Sequence, residues 1–323
     1  MMRVSCYEVS GAQKTALPPV VRHGISFAEM ACAESRSSLT LALGTRTKFQ
    51  MLEQPLSTTT SKAVQTFFLV RQFGDFVAVD HINLEVNRGS FFGFLGPNGA
   101  GKSTTIKMLT GLLAPTSGKI RVLDRDISEQ PMEVKRRIGV VPEDLNLFER
   151  LTGAEMLSFT GRMYGLTKDD ILLRSKELLD LMELQDDPKK LIIEYSHGMK
   201  KKLSLACALI HRPEILFLDE PFEGIDAIAS RTLKDLLSRL TSRGLTVFLT
   251  SHVLEIVERL CSDIAIISQG KLLASGSLNE LRKGIQVVGD GQQRGPVSLE
   301  EYFIHVVGGT RSSSEEEVLQ WLT

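Results

Sequence analysis

Gly96-Pro97-Asn98-Gly99-Ala100-Gly101-Lys102-Ser103-Thr104 matches the pattern G-x-x-x-x-G-K-[ST]. From average composition the bare pattern arises in a chain of this length with a probability on the order of one per cent. Its flanks narrow that further, because the apolar run Phe91 to Leu95 reads as a strand and Ile106, Leu109 and Leu113 recur at helical spacing behind it. Glycines in such a loop let backbone N–H groups point at phosphate oxygens, and the following helix turns its positive N-terminal end to the same anion. Lys102 is then placed for the β- and γ-phosphates and the Ser103 hydroxyl for Mg2+. A second constellation is the apolar strand Ile215-Leu216-Phe217-Leu218 ending in Asp219-Glu220. Alone it reads as a strand running into a solvated turn. Behind a phosphate-binding loop, Asp219 becomes the acid for the Mg2+ shell and Glu220 the base that polarises an attacking water. The loop by itself leaves open ATP or GTP, and kinase, motor or switch.

These residues need a scaffold, and the chain is long enough to supply one. With 323 residues, 42% hydrophobic and 24% charged, it buries one sizeable core, or a core with a satellite. A formal net charge of -1 makes no long-range field to collect nucleic acid or anionic lipid, so an anion requires a local site. Cys6, Cys32, Cys207 and Cys261 include no C-x-x-C pair, so neither a disulfide framework nor a zinc site is indicated and a reducing, cytosolic compartment fits. No stretch of about 18 apolar residues occurs, nor an apolar secretion signal, so in a transport role another chain supplies the pore.

Residues 1–63 are rich in Ser, Thr and Ala, carry Pro18, Pro19 and Pro55, and show no sustained period. They read as a disordered extension, with translation expected to start at Met51. From Gln65, Phe67 to Val70 and then Val77, Val79, Ile82, Leu84 and Val86 indicate an antiparallel β layer. From Phe91 strands alternate with helices, with further strands at Ile120 to Leu123 and Ile138 to Val141, as in an α/β domain with a mainly parallel sheet. Residues 144–212 read as a helical insertion, with Ile171, Leu172, Leu178, Leu179 and Met182 near helical spacing. Strands return at Ile215 to Leu218, Val247 to Leu249 and Ile264 to Ile267 as continuous apolar runs, suited to a sheet buried on both faces. Residues 285–323 read as a linker and a short tail, in which Ser298-Leu299-Glu300-Glu301 caps a helix carrying Leu299, Tyr302, Phe303 and Val306 on one face. Lys200, Lys201 and Lys202 read as a solvated helix face.

The order of these motifs resembles the ABC ATPase family over roughly residues 64–284. Tyr195-Ser196-His197-Gly198-Met199 stands where that family has its signature motif, Pro221-Phe222-Glu223-Gly224-Ile225-Asp226 looks like its D-loop, and Leu249-Thr250-Ser251-His252 looks like its switch histidine at a strand end. The resemblance implies a P-loop NTPase core with an antiparallel β layer and a helical subdomain, ATP and Mg2+ as ligands, and a γ-phosphate contact from His252. It also implies that Ser196 and Gly198 cap the nucleotide of a second copy, so that two chains, identical or related, sandwich two ATP molecules. Ser196 opens a helix with Met199, Leu203, Ala206 and Ile210 on one face, whose first N–H groups are free for phosphate. Four positions depart from the family pattern. Glu143 in Val141-Pro142-Glu143 replaces the Q-loop glutamine and adds a third candidate Mg2+ contact to Ser103 and Asp219. His197 and Met199 replace glycine and glutamine of the signature, and Phe73 stands in for the tyrosine that stacks on adenine.

The Glu143 loop, the Ser-x-Gly-Met signature and the short tail together resemble the ATPases of ABC-2-type exporters. That resemblance implies a cytoplasmic subunit, peripheral on the inner face of the membrane, partnered by separate transmembrane permease subunits. Two other readings compete. A soluble ABC ATPase acting on the ribosome usually carries two cassettes, and a chromosome-organising one carries a long coiled coil, whereas this chain has one cassette, no sustained heptads between Lys102 and Ser196, and no basic excess. A regulatory cassette without turnover is disfavoured by the joint presence of Lys102, Asp219, Glu220 and His252.

Overall fold

The structure is a computed structural model that describes residues 61–184, 189–284 and 299–308. Of the extension expected at residues 1–63, residues 1–60 lie outside the described residues, as do 285–298 and 309–323 of the expected linker and tail. The first strand, β1, spans Lys62–Phe73 and pairs antiparallel with β2, Phe76–Asn87. The cassette thus takes in Lys62 and Ala63, which composition had placed in the extension. Ala63 is buried and Lys62 pairs with Asn87, contacts that a small and a charged residue do not advertise in sequence.

Strand β3 (Phe91–Leu95) runs into helix α1 (Lys102–Leu109), followed by β4 (Ser117–Val122), the two-residue β5 (Arg125–Asp126), α2 (Pro131–Arg137) and β6 (Ile138–Val141). The insertion holds α3 (Gly153–Met163), α4 (Lys168–Leu181) and α5 (His197–Leu209). The core resumes with β7 (Ile215–Asp219), α6 (Ala227–Thr241), β8 (Thr246–Ser251), α7 (Leu254–Leu260), β9 (Asp263–Ser268), β10 (Lys271–Ser277), α8 (Leu278–Gly284) and, after the gap, α9 (Leu299–Gly308).

Two sheets result. One has the order β10-β9-β3-β8-β7-β6, parallel from β9 to β6 with β10 antiparallel at its edge. The other is antiparallel, in the order β2-β1-β4-β5. Assigning Ile120 to Leu123 to the parallel sheet on sequence is therefore wrong. The reason was present in the residues: in Ser117-Gly118-Lys119-Ile120-Arg121-Val122 only Ile120 and Val122 are buried, the alternation of a sheet with one wet face. By contrast β3, β7 and β8 are buried at every position.

The pleat divides those buried strands between two cores. Phe92, Phe94, Phe217 and Phe248 face the β layer, where they meet Val64, Ile82 and Leu84 together with Ile106 and Leu109 of α1. The other three rings cluster around Phe248, with the centroids of Phe92, Phe94 and Phe217 at 5.4, 5.6 and 5.5 Å from it. Phe91, Leu95, Leu216, Leu218, Val247 and Leu249 face the other way, against α5, α6 and α7. Helix α9 closes that side with Leu299, Tyr302, Phe303 and Val307 rather than Val306. Its Leu299 N–H donates to Glu258 of α7, and Ser298 of the expected cap lies outside the described residues.

The insertion is helical, as its sequence indicates. Thr152 and Glu155 form a reciprocal capping box on α3, and Thr167 caps α4. Ile171 is buried, but Leu172, counted with the inward residues on spacing alone, is 75% exposed.

Candidate active site

Strands β3, β6, β7 and β8 run parallel, so their C-terminal ends open on one edge, where open α/β sheets bind ligands. The 96–104 loop leaves β3, Glu143 follows β6, Asp219 and Glu220 end β7, and His252 follows β8. Two glycines shape the loop. Gly101 sits at φ 107°, and a Cβ there would lie 2.5 Å from the Ala78 carbonyl of β2. Gly96 packs so closely that a Cβ would meet the Ile267 carbonyl at 2.3 Å. The loop is held against β2 and β9 by backbone contact that a larger residue would break. Lys102 folds back, its Nζ donating to the carbonyls of Gly96 (2.8 Å) and Pro97 (3.2 Å).

Three of the expected catalytic side chains converge. Glu220 places Oε1 3.3 Å from Lys102 Nζ and Oε2 3.2 Å from His252 Nδ1. Both Lys102 and Glu220 are buried, and Glu220 Oε1 has no hydrogen-bond donor of its own. Lys102 offsets its charge without making a hydrogen bond to Oε1, so that oxygen keeps acceptor capacity for a ligand proton. Glu220 also adopts φ 45°, a left-handed conformation costing about 1–3 kcal/mol for such a residue and typical of functional sites. Thr250 helps to fix it: its hydroxyl accepts from Glu220 N–H (3.0 Å) and donates to Asp219 Oδ1 (2.6 Å). Ser251 tightens the next turn by accepting from Val253 N–H at 2.9 Å, just after His252.

Glu143 reaches the same edge, with Ser103 Oγ donating to its Oε2 at 3.4 Å. Ser103, Asp219 and Glu143 are hard oxygen donors suited to Mg2+. Among the described residues no group of three or more His, Cys, Asp or Glu is gathered to hold a metal by itself.

The other expected ligands lie apart from this cluster. Phe73 ends β1 half exposed, with the Arg71 guanidinium 4.3 Å from its ring centroid. Ser196 is exposed at the N-terminus of α5, where its Oγ accepts from Met199 N–H at 3.2 Å. Among the described residues no hydrogen bond or ion pair joins Ser196 or Gly198 to the 96–104 loop. The signature residues instead touch their own D-loop, where a Cβ on Gly224 would lie 3.1 Å from the His197 ring.

The lysine run is the clearest correction. Lys201 is 4% exposed and donates to the backbone carbonyls of Glu220 (2.8 Å) and Glu223. Lys202 pairs with Glu183 and Lys200 with Glu149. Three adjacent lysines look like a wet face until their carboxylate and carbonyl partners are known, and those partners lie 19 to 51 positions away. Thr250 was also missed, although it lies inside a segment singled out for its histidine.

Parallel sheet, glycine loop and strand-end acids define a P-loop nucleoside-triphosphatase. Comparison with known proteins narrows that class. An ABC transporter family model matches residues 79–223. The bacitracin transport ATP-binding protein BcrA of Bacillus licheniformis is 37% identical over 75% of this chain and 80% of its own. The linearmycin resistance ATP-binding protein LnrL of Bacillus subtilis (strain 168) is 40% identical over 65% of this chain and 68% of its own. A solved ATP-binding subunit of an ABC transporter superposes with a TM-score of 0.69 at 29% identity, covering 76% of this chain and 99% of that one. This chain belongs to the ABC transporter family, as an ATP-binding ATPase.

Proposed function

We propose that this chain is the cytoplasmic motor of an exporter, lying on the inner membrane face against separate transmembrane permease subunits. Supporting this, the relatives named above act in antibiotic transport and resistance, and no described helix is long and apolar enough to cross a membrane. Two copies, or one copy and a related cassette, sandwich two ATP molecules. In each site Ser196 and Gly198 of one chain cap the nucleotide held on the 96–104 loop of the other. Nothing in the charge balance calls for nucleic acid as a partner.

The observation that carries the chemistry is Glu220, buried between Lys102 and His252 with one oxygen lacking a donor. In the proposed reaction the backbone N–H groups of residues 96–104 and the N-terminus of α1 cradle the phosphates while Lys102 meets the β- and γ-oxygens. Phe73 stacks on adenine with the ring face that Arg71 leaves free. Glu220 Oε1 accepts a proton from the water that attacks in line on the γ-phosphorus, while the bond to the β,γ-bridging oxygen breaks and ADP leaves with inorganic phosphate as the other product. His252 donates to the γ-phosphate and keeps Glu220 and the water in register. Ser103, Asp219 and Glu143 would hold Mg2+, which would supply positive charge to offset that of the phosphate oxygens. Closure of the sandwich drives the permease, and hydrolysis reopens it.

Glu220→Gln tests the reading. The variant should bind ATP as wild type does yet lose turnover by about 100-fold or more. Near-normal turnover with intact binding would remove Glu220 as the base.

A further inference from the structure

We propose that Lys201 is a positioning residue for Glu220, holding the catalytic turn through its backbone from the signature helix. The inference rests on Glu220 being the base. Lys201 lies one turn into α5, and its ammonium donates to the Glu220 carbonyl at 2.8 Å and to the Glu223 carbonyl. Those carbonyls mark the two ends of the turn Glu220-Pro221-Phe222-Glu223, whose closing Glu223 N–H to Glu220 carbonyl bond is long at 3.3 Å. Glu220 at the head of that turn holds φ 45°, a conformation that persists only where the surroundings impose it. Thr250 fixes the N–H side of Glu220 and Lys201 fixes the carbonyl side. The side chain is thereby aimed at Lys102 and His252.

Stability gives a poor account of this lysine. It lines a small cavity together with Val141, Leu205, Leu218, Leu233 and Leu237, surroundings that suit an apolar side chain. Among the described residues no carboxylate lies within ion-pair distance of its ammonium. Burial lowers its basicity, against the pull of Glu223, Glu220 and Glu143. A buried cation satisfied by neutral carbonyls is an expensive way to fill space. It is an effective way to fix two carbonyls at once, since the ammonium has three donors and no acceptor. It also ties the base to α5, whose opening residues His197 and Gly198 border Gly224 and Asp226 of the segment that follows the turn.

The test grades the donor. Both substitutions shorten the side chain by one bond; Lys201→Met removes the donor, and Lys201→Gln keeps a neutral one. With ATP saturating, kcat should fall about 100-fold in Lys201→Met and about tenfold in Lys201→Gln, as expected when a catalytic group is misplaced by about 1 Å. The KM for ATP should stay within about threefold, because the phosphate loop is untouched. In a Glu220→Gln background neither substitution should lower the residual rate further. A folded variant of either kind with wild-type kcat, a loss confined to KM, or losses that add in full to that of Glu220→Gln would each overturn the proposal. Thermal melting verifies folding, and should Lys201→Met not fold, Lys201→Gln is judged by the same criteria. A Glu220→Gln chain that keeps full turnover would instead reject the base assignment, so the two failures are separable.

Discussion

In the parallel sheet, Phe91–Leu95, Ile215–Asp219 and Thr246–Ser251 are buried throughout, whereas the helical insertion leaves Leu172 75% exposed and Lys201 4% exposed. Phe148 and Phe159 of the insertion likewise meet edge to face at 5.1 Å while both stay exposed. In these three strands hydropathy decides burial, and charge enters only at Asp219, where β7 ends at the site. In the insertion, burial follows polar partners: Lys201 is drawn in by two carbonyls of the catalytic turn, and Lys202 by Glu183. A region that serves a site and a surface is built to contacts outside its own apolar faces.

The largest effect should come from the sheet. Phe248→Ala removes the ring that three other phenylalanines surround, and denaturant unfolding should show a loss of about 3–5 kcal/mol. A loss below about 1 kcal/mol would mean that this core is no better packed than the insertion. Next comes the edge where the two regions meet. Glu143→Gln should raise the Mg2+ concentration for half-maximal turnover about tenfold, roughly 1.5 kcal/mol for one charged contact. An unchanged Mg2+ curve would detach Glu143 from the metal.

His211 sharpens the contrast on a smaller scale. Burial lowers its basicity, its Nε2–H donates to the Ile138 carbonyl at 2.8 Å, and its Nδ1 is buried without a partner. The unfolded chain therefore takes up the proton more readily, so this contribution to stability is present above the unfolded value near 6.5 and is lost as pH falls through and below it. The melting temperature of His211→Gln should fall less steeply than that of wild type between pH 7.5 and 5.5. Equal slopes would show that His211 titrates alike in both states. The smallest effect belongs to Leu172→Ser, which should change stability by no more than about 0.5 kcal/mol. A larger loss by the same unfolding measurement would mean that Leu172 is covered.

What could be read from sequence followed the same division. Runs such as Ile215 to Leu218 carry their burial in their own residues, and the phosphate loop and strand-end acids are contiguous, so fold class and the Lys102, Asp219 and Glu220 cluster were legible. The β4 strand was misassigned although its alternation was visible, because its position after α1 suggested a parallel crossover. Lys201 and Thr250 were not legible, since their roles depend on backbone atoms of β7 and the turn behind it. The left-handed conformation of Glu220 leaves no mark on side-chain pattern at all. Leu172 failed for the opposite reason, a spacing rule applied where one residue too many fell on the apolar face.

In the function proposed above, two chains share each ATP site, with Lys102 from one and Ser196 from the other. Lys102→Ala and Ser196→Ala chains, each inactive when purified alone, should recover about a quarter to a half of wild-type activity per mixed dimer, because one composite site in that dimer is intact. No activity above the separate chains, under conditions where mixed dimers are demonstrated, would contradict the account.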